Sequence, residues 1–466
     1  MASITFATGT VIPSTWLNDV NSVVYNGIFQ ATSLTINGIT LGRGNGNIAT
    51  NTAVGASALA ANTTSDYTTA IGHEAALSTT TATRVTAVGS QSARSNTTGR
   101  NTAFGWAALY SNTVSNYNTA IGDAALYTNT GEGSTAVGYG ALLLNSTGSY
   151  NTAVGTSALR YNTTASNNTA VGYQASYSGT IGDGNTAVGQ AALYSNQTGI
   201  FNVAVGNGAG YFSTAGGITA IGNYALNNNT TGVANVAVGG RVNSVTTGTL
   251  VANTTGSYNV GIGSGALSSN TTASNNTAVG YQALYSNTTA LNNTAIGFLA
   301  GYNKTTGDNN SFLGGQAGYS ATTGLGNTLV GFYVGRSLTT GSYNTFIGGR
   351  GNSGSSGDLI TTGNSNTILG NYNGNQGGLD IRTASNYIVL SDGDGNPRLY
   401  HDTNGHQVLA ATMRTAGYTV ATLPTGVLGM RAHVTDAVTA VFMATPTGGG
   451  SVKTPVFFNG SAWVCG

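Results

Sequence analysis

The chain has 466 residues, of which 6% are charged, and its formal net charge is +1. An average soluble domain is about 25% charged, so this chain offers neither the basic surface that nucleic acid requires nor an acidic tail. Its one cysteine, Cys465, excludes an intrachain disulfide. The sequence contains no apolar run long enough for a transmembrane helix, and Met1 to Trp16 lacks the pattern of a signal peptide.

The first 45 residues contain no repeat, whereas a five-residue phrase, Asn-Thr-Ala-Val-Gly or a close variant, recurs nineteen times between Asn51 and Gly370. Steps of 17 residues between the closing glycines predominate; three steps are 16 residues, and two are 24 and 22. The segments Val242 to Gly256 and Gly351 to Thr362 are predicted to hold the two insertions. A short, fixed period predicts stacked supersecondary units.

Each repeat is predicted to form one coil of a β-roll or β-solenoid, so the fold class is all-β. Thr, Val and Ile favour strands, and the Asn-Thr-Thr-Gly segment favours a turn. Gly, Asn and Thr are poor helix formers. One coil of this length can hold two short strands and two turns.

The residue before each closing glycine is always apolar, as in Val54 and Ile71, and is predicted to point into the coil. The residue before that is mostly Ala and would face the opposite side. A constant small residue there predicts close approach by other copies, hence a parallel homotrimer. In the last four repeats this position holds larger residues, which indicates a widened or repacked core: Phe312, Leu329, Phe346 and Ile368.

No catalytic residue, metal ligand or cofactor is predicted. Glu74, Asp123, Glu132 and Asp183 are isolated acids that we interpret as solvated loop residues, because polysaccharide cleavage requires paired carboxylates. An enzymatic function is therefore not expected.

Two motifs near the C-terminus leave metal binding open. Asp392 and Asp394 lie in a sequence typical of a hairpin turn, although it shares part of a calcium loop. His401 and His406 favour a surface hairpin, but three chains could bring them together around a metal.

Aromatic and threonine residues recur at fixed phases of the repeat. Tyr117, Tyr150, Tyr258 and Tyr343 precede the phrase, where they would cap coil edges, pack between chains or bind a ligand. The threonines of the phrase would form a column. Such columns bind ice in some solenoids, but one threonine per coil makes this function the weaker expectation.

The repeats resemble the β-roll heads of trimeric autotransporter adhesins and, more closely, Asn-Thr-Ala-Val/Ile-Gly arrays in bacteriophage fibres. Residues 9–21 (GTVIPSTWLNDVN) resemble the virion-attachment end of tail fibres from short-tailed phages. Residues 386–400 and 448–463 resemble distal fibre segments. The chain lacks the signal peptide and membrane barrel that the adhesin family carries, so the phage resemblance fits better.

The resemblance implies a virion-attachment segment at 1–45, a β-roll shaft at 46–372 and a small β-rich tip at 373–466. It implies a tail fibre that recognises and adheres to the host surface, or a head-attached fibre or capsid decoration, or a bacterial adhesin. Its partners would be two further copies, a tail, adaptor or capsid protein, and a host glycan or protein. The predicted contact residues are Pro13, Trp16, Leu17 and Asn18 for the virion, and Phe457, Phe458 and Trp463 for the receptor.

Overall fold

The computed structural model describes residues 33–36, 39–241, 248–349, 354–409, 417–418, 422–423, 425, 431–437, 445–446, 448, 452–459 and 461–465. These residues form an all-β structure whose main body is a β-solenoid. Its repeated strands are three residues long and are numbered here in chain order after the N-terminal β1 (Ser33–Ile36) and β2 (Ile39–Gly42): β3 Thr52–Val54, β4 Thr69–Ile71, β5 Thr86–Val88, β6 Thr102–Phe104, β7 Thr119–Ile121, β8 Thr135–Val137, β9 Thr152–Val154, β10 Thr169–Val171, β11 Thr186–Val188, β12 Val203–Val205, β13 Thr219–Ile221, β14 Val236–Val238, β15 Val260–Ile262, β16 Thr277–Val279, β17 Thr294–Ile296, β18 Ser311–Leu313, β19 Thr328–Val330, β20 Thr345–Ile347 and β21 Thr367–Leu369.

Strands β3 to β21 stack in one parallel sheet without a register shift. Thr152 pairs with Thr169, and Ala153 pairs with Ala170; the same pairing repeats along the stack. Because neighbouring strands lie about 4.8 Å apart, nineteen coils extend about 90 Å. The predicted solenoid is confirmed.

The prediction of two strands per coil is wrong, because the side opposite the strand is a continuous series of turns. Residues two and four places after the closing glycine adopt left-handed backbone angles, as in Gln174 (φ 55°) and Ser176 (φ 48°). Such residues cannot continue a strand. Their amides still bond along the stack, since the Gln174 N–H donates to the Thr156 carbonyl (3.0 Å) and the Ser176 N–H to the Ala192 carbonyl (2.8 Å).

The predicted direction of the strand side chains is also wrong. The alanines point inward and the residues before the glycines point outward: Ala170 is fully buried, whereas Val171 is 36% exposed. A single sheet faces the turn side across a narrow interior. The strand contributes only a methyl group to this interior, and the turn side contributes a leucine such as Leu159.

In the last coils the large core residue moves from the turn side to the strand side. Phe312, Leu329, Phe346 and Ile368 are fully buried at the former alanine position. On the turn side, the leucine position becomes Gly301, Gly318, Gly335 and Gly357. A side chain at Gly301 or Gly318 would collide with the Phe312 ring. The large residue has therefore moved to the strand side and the small residue to the turn side. The core is repacked, which is one of the two outcomes, widening or repacking, that the sequence left open.

Two columns of buried asparagines satisfy backbone groups inside the coils. In the first, the Asn118 N–H donates to Oδ1 of Asn101 (2.9 Å), and Nδ2 of Asn101 donates to the Ser115 carbonyl (2.8 Å). In the second, Nδ2 of Asn270 donates to Oδ1 of Asn253 in the preceding coil (2.7 Å). Buried polar groups need such partners, so the asparagines are structural.

Hairpins flank the parallel stack at both ends. At the N-terminal end, β1 and β2 are antiparallel, and β2 pairs antiparallel with β3. At the other end, β24 (Ile388–Ser391) pairs parallel with β21, so the stack extends past residue 372. A meander follows through β25 (Pro397–His401) and β26 (Gln407–Leu409). Between β21 and β24, β22 (Asn375–Gln376) and β23 (Leu379–Asp380) form a small hairpin.

A separate four-stranded sheet lies near the C-terminus. Its strands, in spatial order, are β27 (Gly417–Tyr418), β28 (Arg431–Ala437), β29 (Val452–Phe458) and β30 (Trp463–Cys465). Cys465 is buried in its small core.

Candidate interaction surfaces

An unbroken line of apolar side chains runs along the outside of the sheet. We call it the apolar stripe and define it as the residue before each strand-closing glycine. Twelve of these residues are between 36% and 54% exposed. The stripe comprises Val54, Ile71, Val88, Phe104, Ile121, Val137, Val154, Val171, Val188, Val205, Ile221, Val238, Ile262, Val279, Ile296, Leu313, Val330, Ile347 and Leu369.

The apolar stripe has a polar neighbour on the same face. Thr152 and Thr169, two places before the stripe residues, also point outward and are partly exposed. The outer face of the sheet therefore carries a threonine column beside an aliphatic column, and neither bears a charge. Ice binding by the threonines stays a prediction.

A line of aromatic rings lies where the chain enters each strand. We call it the aromatic rail and define it as Tyr67, Tyr117, Tyr150, Phe201, Tyr258 and Tyr343, which are between 60% and 68% exposed. All six have left-handed backbone angles, with φ between 51° and 62°. Tyr150 covers Gly133, and Tyr343 covers Gly326, the equivalent residue of the preceding coil. Edge capping is thus observed for part of the rail, yet most of each ring remains open to solvent.

A different set of tyrosines stacks on itself along the turn side. The rings of Tyr177, Tyr194 and Tyr211 lie nearly parallel, with centroids 5.0 and 4.8 Å apart. Tyr285, Tyr302 and Tyr319 form a second column. Because the ring faces contact each other, these columns stabilise neighbouring coils rather than offer open faces.

Three of the four isolated acids have structural partners. Arg94 donates to Glu74 at 2.8 Å and holds the pKa of that carboxyl below its usual range. Asp123 accepts the Trp106 amide (3.2 Å), and Asp183 accepts the Ser166 amide (2.6 Å). Glu132 and Asp183 occupy the same phase three coils apart, about 14 Å along the stack. At this separation the two acids are not paired.

The hairpin at Asp392 is observed as predicted. Its carboxylate accepts the amides of Asp394 (3.0 Å) and Asn396 (2.9 Å) and contacts the Arg398 guanidinium. The Asn396 amide, followed by Arg398, lowers the pKa of Asp392 to about 2. These contacts show that the Asp392 carboxylate stabilises the turn of the hairpin.

His401 and His406 lie in and beside the hairpin formed by β25 and β26. His401 pairs with Gln407, and the exposed His406 ring lies 3.2 Å from the Asp402 carboxylate. Among the described residues, no three His, Cys, Asp or Glu side chains form a cluster of the kind that holds a metal. A shared metal between chains stays a prediction.

The predicted contact residues fall in two places. Pro13, Trp16, Leu17 and Asn18 lie outside the described residues. The aromatic residues of the C-terminus lie on β29 and β30, where Phe458 pairs with Trp463 and their ring centroids are 5.8 Å apart. Trp463 is buried, its partner Phe458 is half-buried, and the half-buried Phe457 pairs with Val464. Packing accounts for Trp463, and receptor contact by the three residues stays a prediction.

A buried lysine interrupts the second asparagine column. Lys304 is fully buried, and its Nζ donates to the Gly324 carbonyl. Desolvation lowers its pKa to about 8. Below it, Oδ1 of Asn287 has no hydrogen-bond partner among the described residues, because the next coil supplies no amide. The sequence contains a signal for this site, because Lys304 occupies the repeat position at which the two preceding coils have Asn270 and Asn287.

Comparison with known proteins identified no relative of this chain. No family model, curated protein or solved structure matches this chain. In the part of the chain that the structure describes, no helix has the length and hydropathy of a membrane span.

Proposed function

We propose that this chain is the subunit of a homotrimeric, non-enzymatic bacteriophage fibre, specifically a tail fibre that binds the host surface. Residues 1–45 attach it to the virion, the solenoid from residue 46 through β24 forms the shaft, and the residues after β24 form the tip. The head-attached fibre or capsid decoration is the second candidate, and a bacterial trimeric adhesin is the third. Its partners are a tail, adaptor or capsid protein and a host glycan or protein.

The apolar stripe is the observation that carries this proposal. Exposed apolar surface of this extent marks an interaction site, and here it continues for about 90 Å at the spacing of stacked strands. A second and third copy present the same residues at the same spacing, so three parallel copies in register can bury their stripes around a common axis. The stripe replaces the alanine column as the expected interface.

The fold supports a mechanical function for such an assembly. Each coil contacts only its neighbours, so length grows by adding coils without enlarging a core. The coils form hydrogen bonds to each other on the sheet side and on the turn side. Of the isolated acids in the coils, Glu74 is held by Arg94, and Asp123 and Asp183 accept backbone amides, which supports a non-enzymatic fibre.

Electron microscopy of labelled virions tests the function. Gold-labelled antibody against residues 46–372 is expected to mark the tail of virions that carry the chain. Deleting residues 1–45 is expected to abolish the label while the purified protein remains a rod. Label on the capsid would favour the second candidate; label on bacterial cells without virions would favour the adhesin.

A further inference from the structure

We propose that the aromatic rail is a binding site for an extended polysaccharide lying along the shaft. The inference rests on the proposed function and extends it, because it assigns host-glycan contact to the side of the shaft as well as to the tip. Six rings stand at one phase of the coil, with most of their surface open.

The backbone at the rail makes an aromatic residue costly. A non-glycine residue with positive φ is disfavoured, and glycine or asparagine tolerates this conformation best. Other coils use those residues at the same position, including Gly184, Gly217, Asn167 and Asn275. A bulky ring here costs on the order of 1 kcal/mol relative to them. Burial of the ring offsets little of this cost, because most of each ring is exposed. The presence of an aromatic residue at this position in six coils therefore indicates a function other than stabilising the fold.

The chemistry beside the rings suits a sugar chain. The residue before the ring is polar in five of the six coils: Asp66, Asn116, Ser149, Ser257 and Ser342. Aromatic rings pack against the apolar C–H face of a pyranose. Ser149, Ser257 and Ser342 each donate to a carbonyl of their own coil and accept an amide of the preceding coil. Each hydroxyl oxygen keeps a second lone pair that can accept a hydrogen bond from a sugar hydroxyl. In coils without a ring, Arg84 and Arg100 occupy the rail position, and Glu132 and Asp183 occupy the position before it. Because charges of both signs lie along the rail, the site has no strong preference for an ionic ligand.

The spacing of the rings suits an extended ligand. From Tyr67 to Tyr258, successive rings are two or three coils apart, or about 10 to 14 Å. These gaps leave room for a few sugars between contacts, and several weak contacts on one chain add through effective concentration. The aromatic rail lacks the continuous apolar surface of the apolar stripe. Another copy of the chain is therefore a less favourable occupant of the rail than a polysaccharide.

Affinity electrophoresis of the full chain tests the rail. The probes are hydroxyethylcellulose, dextran and galactomannan, each incorporated in a native gel. The wild-type protein is expected to be retarded by at least one of them. The triple variant Tyr117→Ser, Tyr150→Ser and Tyr258→Ser should lose at least tenfold in affinity, whereas the corresponding Tyr→Phe variant should retain binding because the ring is kept.

A matched control separates ring loss from backbone effects. Asn167→Ser, Asn275→Ser and Asn309→Ser change the same position in coils that lack a ring, and this triple variant should bind as the wild type does. Absence of retardation with all three probes, or equal retardation of the Tyr→Ser and wild-type proteins, would overturn the proposal.

Light scattering on the same samples distinguishes this proposal from the fibre. A Tyr→Ser variant that binds no polysaccharide and remains trimeric supports the rail. If it falls apart into single chains, the rings are chain contacts and the rail proposal fails. A wild-type monomer that binds polysaccharide would contradict only the trimeric fibre.

Discussion

The glycine that closes each strand has no room for a side chain. All nineteen have φ between +104° and +150°, and a Cβ on any of them would lie within 2.9 Å of an atom of a neighbouring coil or loop. At Gly172 this Cβ would be 2.5 Å from the Gly189 carbonyl oxygen. We expect Gly172→Ala to destabilise the protein by about 3 kcal/mol, since it combines an unfavourable φ with a backbone collision.

Chemical denaturation followed by circular dichroism measures this effect. Gly393→Ala is the control, because a Cβ there meets nothing within 4 Å, and its effect should stay within about 0.5 kcal/mol. Equal stabilities of the two variants would show that the glycine column is not sterically required.

Lys304 makes stability depend on pH in the direction opposite to that of a lysine in an ion pair, whose pKa is raised. Its pKa is about 8 in the fold against a usual 10.5, so between these values the unfolded chain binds more protons and stability rises with pH. Below pH 8 the full cost of burying the charge is present, on the order of 3 kcal/mol. We expect the wild type to gain stability from pH 7 to pH 10 relative to Lys304→Met.

Two substitutions separate the charge from the broken asparagine column. Lys304→Met removes the titration and leaves Oδ1 of Asn287 without a partner. Lys304→Asn also offers Nδ2 to that oxygen, as Asn287 does to Asn270 at 2.9 Å, and should be the most stable at pH 7. Denaturation midpoints at pH 7 and pH 10 measure both effects. A constant difference between wild type and Lys304→Met at the two pH values would contradict the buried-charge account.

At the scale of the element, the sequence predicts the coil and its period but not its inside and outside. Strand alternation places Ala and Val on opposite faces, and hydrophobicity alone favours Val inside. The deciding property is size: the inward position holds Ala in most coils, whereas the outward one accepts residues as large as Phe104. A position that holds a small residue in most coils indicates tight packing. A position at which apolar residues of different size occur indicates an open surface.

The exchanged core of the last coils follows the same reasoning. Phe312 could be seen in the sequence, but its compensation by Gly301 and Gly318 depends on contacts across the coil. The turn side could not be predicted as turns, because left-handed Leu and Ala residues are unusual. Four of the five rail tyrosines were found from their phase. The exposure of the rings and the glycines beneath them required the structure.

At the scale of the whole molecule, the apolar stripe connects the repeat to the assembly that we propose. One coil exposes one aliphatic side chain, which is unremarkable on a soluble protein. Nineteen such side chains form a continuous line, because in-register pairing of the strands places all of them on one face of the sheet. The period that builds the solenoid therefore also sets the spacing of the interface that we propose, and a loss of register would break both.

Charged residues in the stripe should dissolve the trimer and leave the coils folded. Ile121→Lys with Val171→Lys places two charges per chain where the three stripes of the proposed trimer would converge, and buried like charges without partners are strongly unfavourable. Val114→Lys with Ile181→Lys is the matched control: these apolar residues are 60% and 55% exposed on loops away from the stripe. Light scattering should give three times the chain mass for the wild type and control, and a single-chain mass for the stripe variant. Circular dichroism should be alike in all three. A stripe variant that stays trimeric would move the interface elsewhere, and a monomeric wild type would leave the stripe without a second copy to cover it.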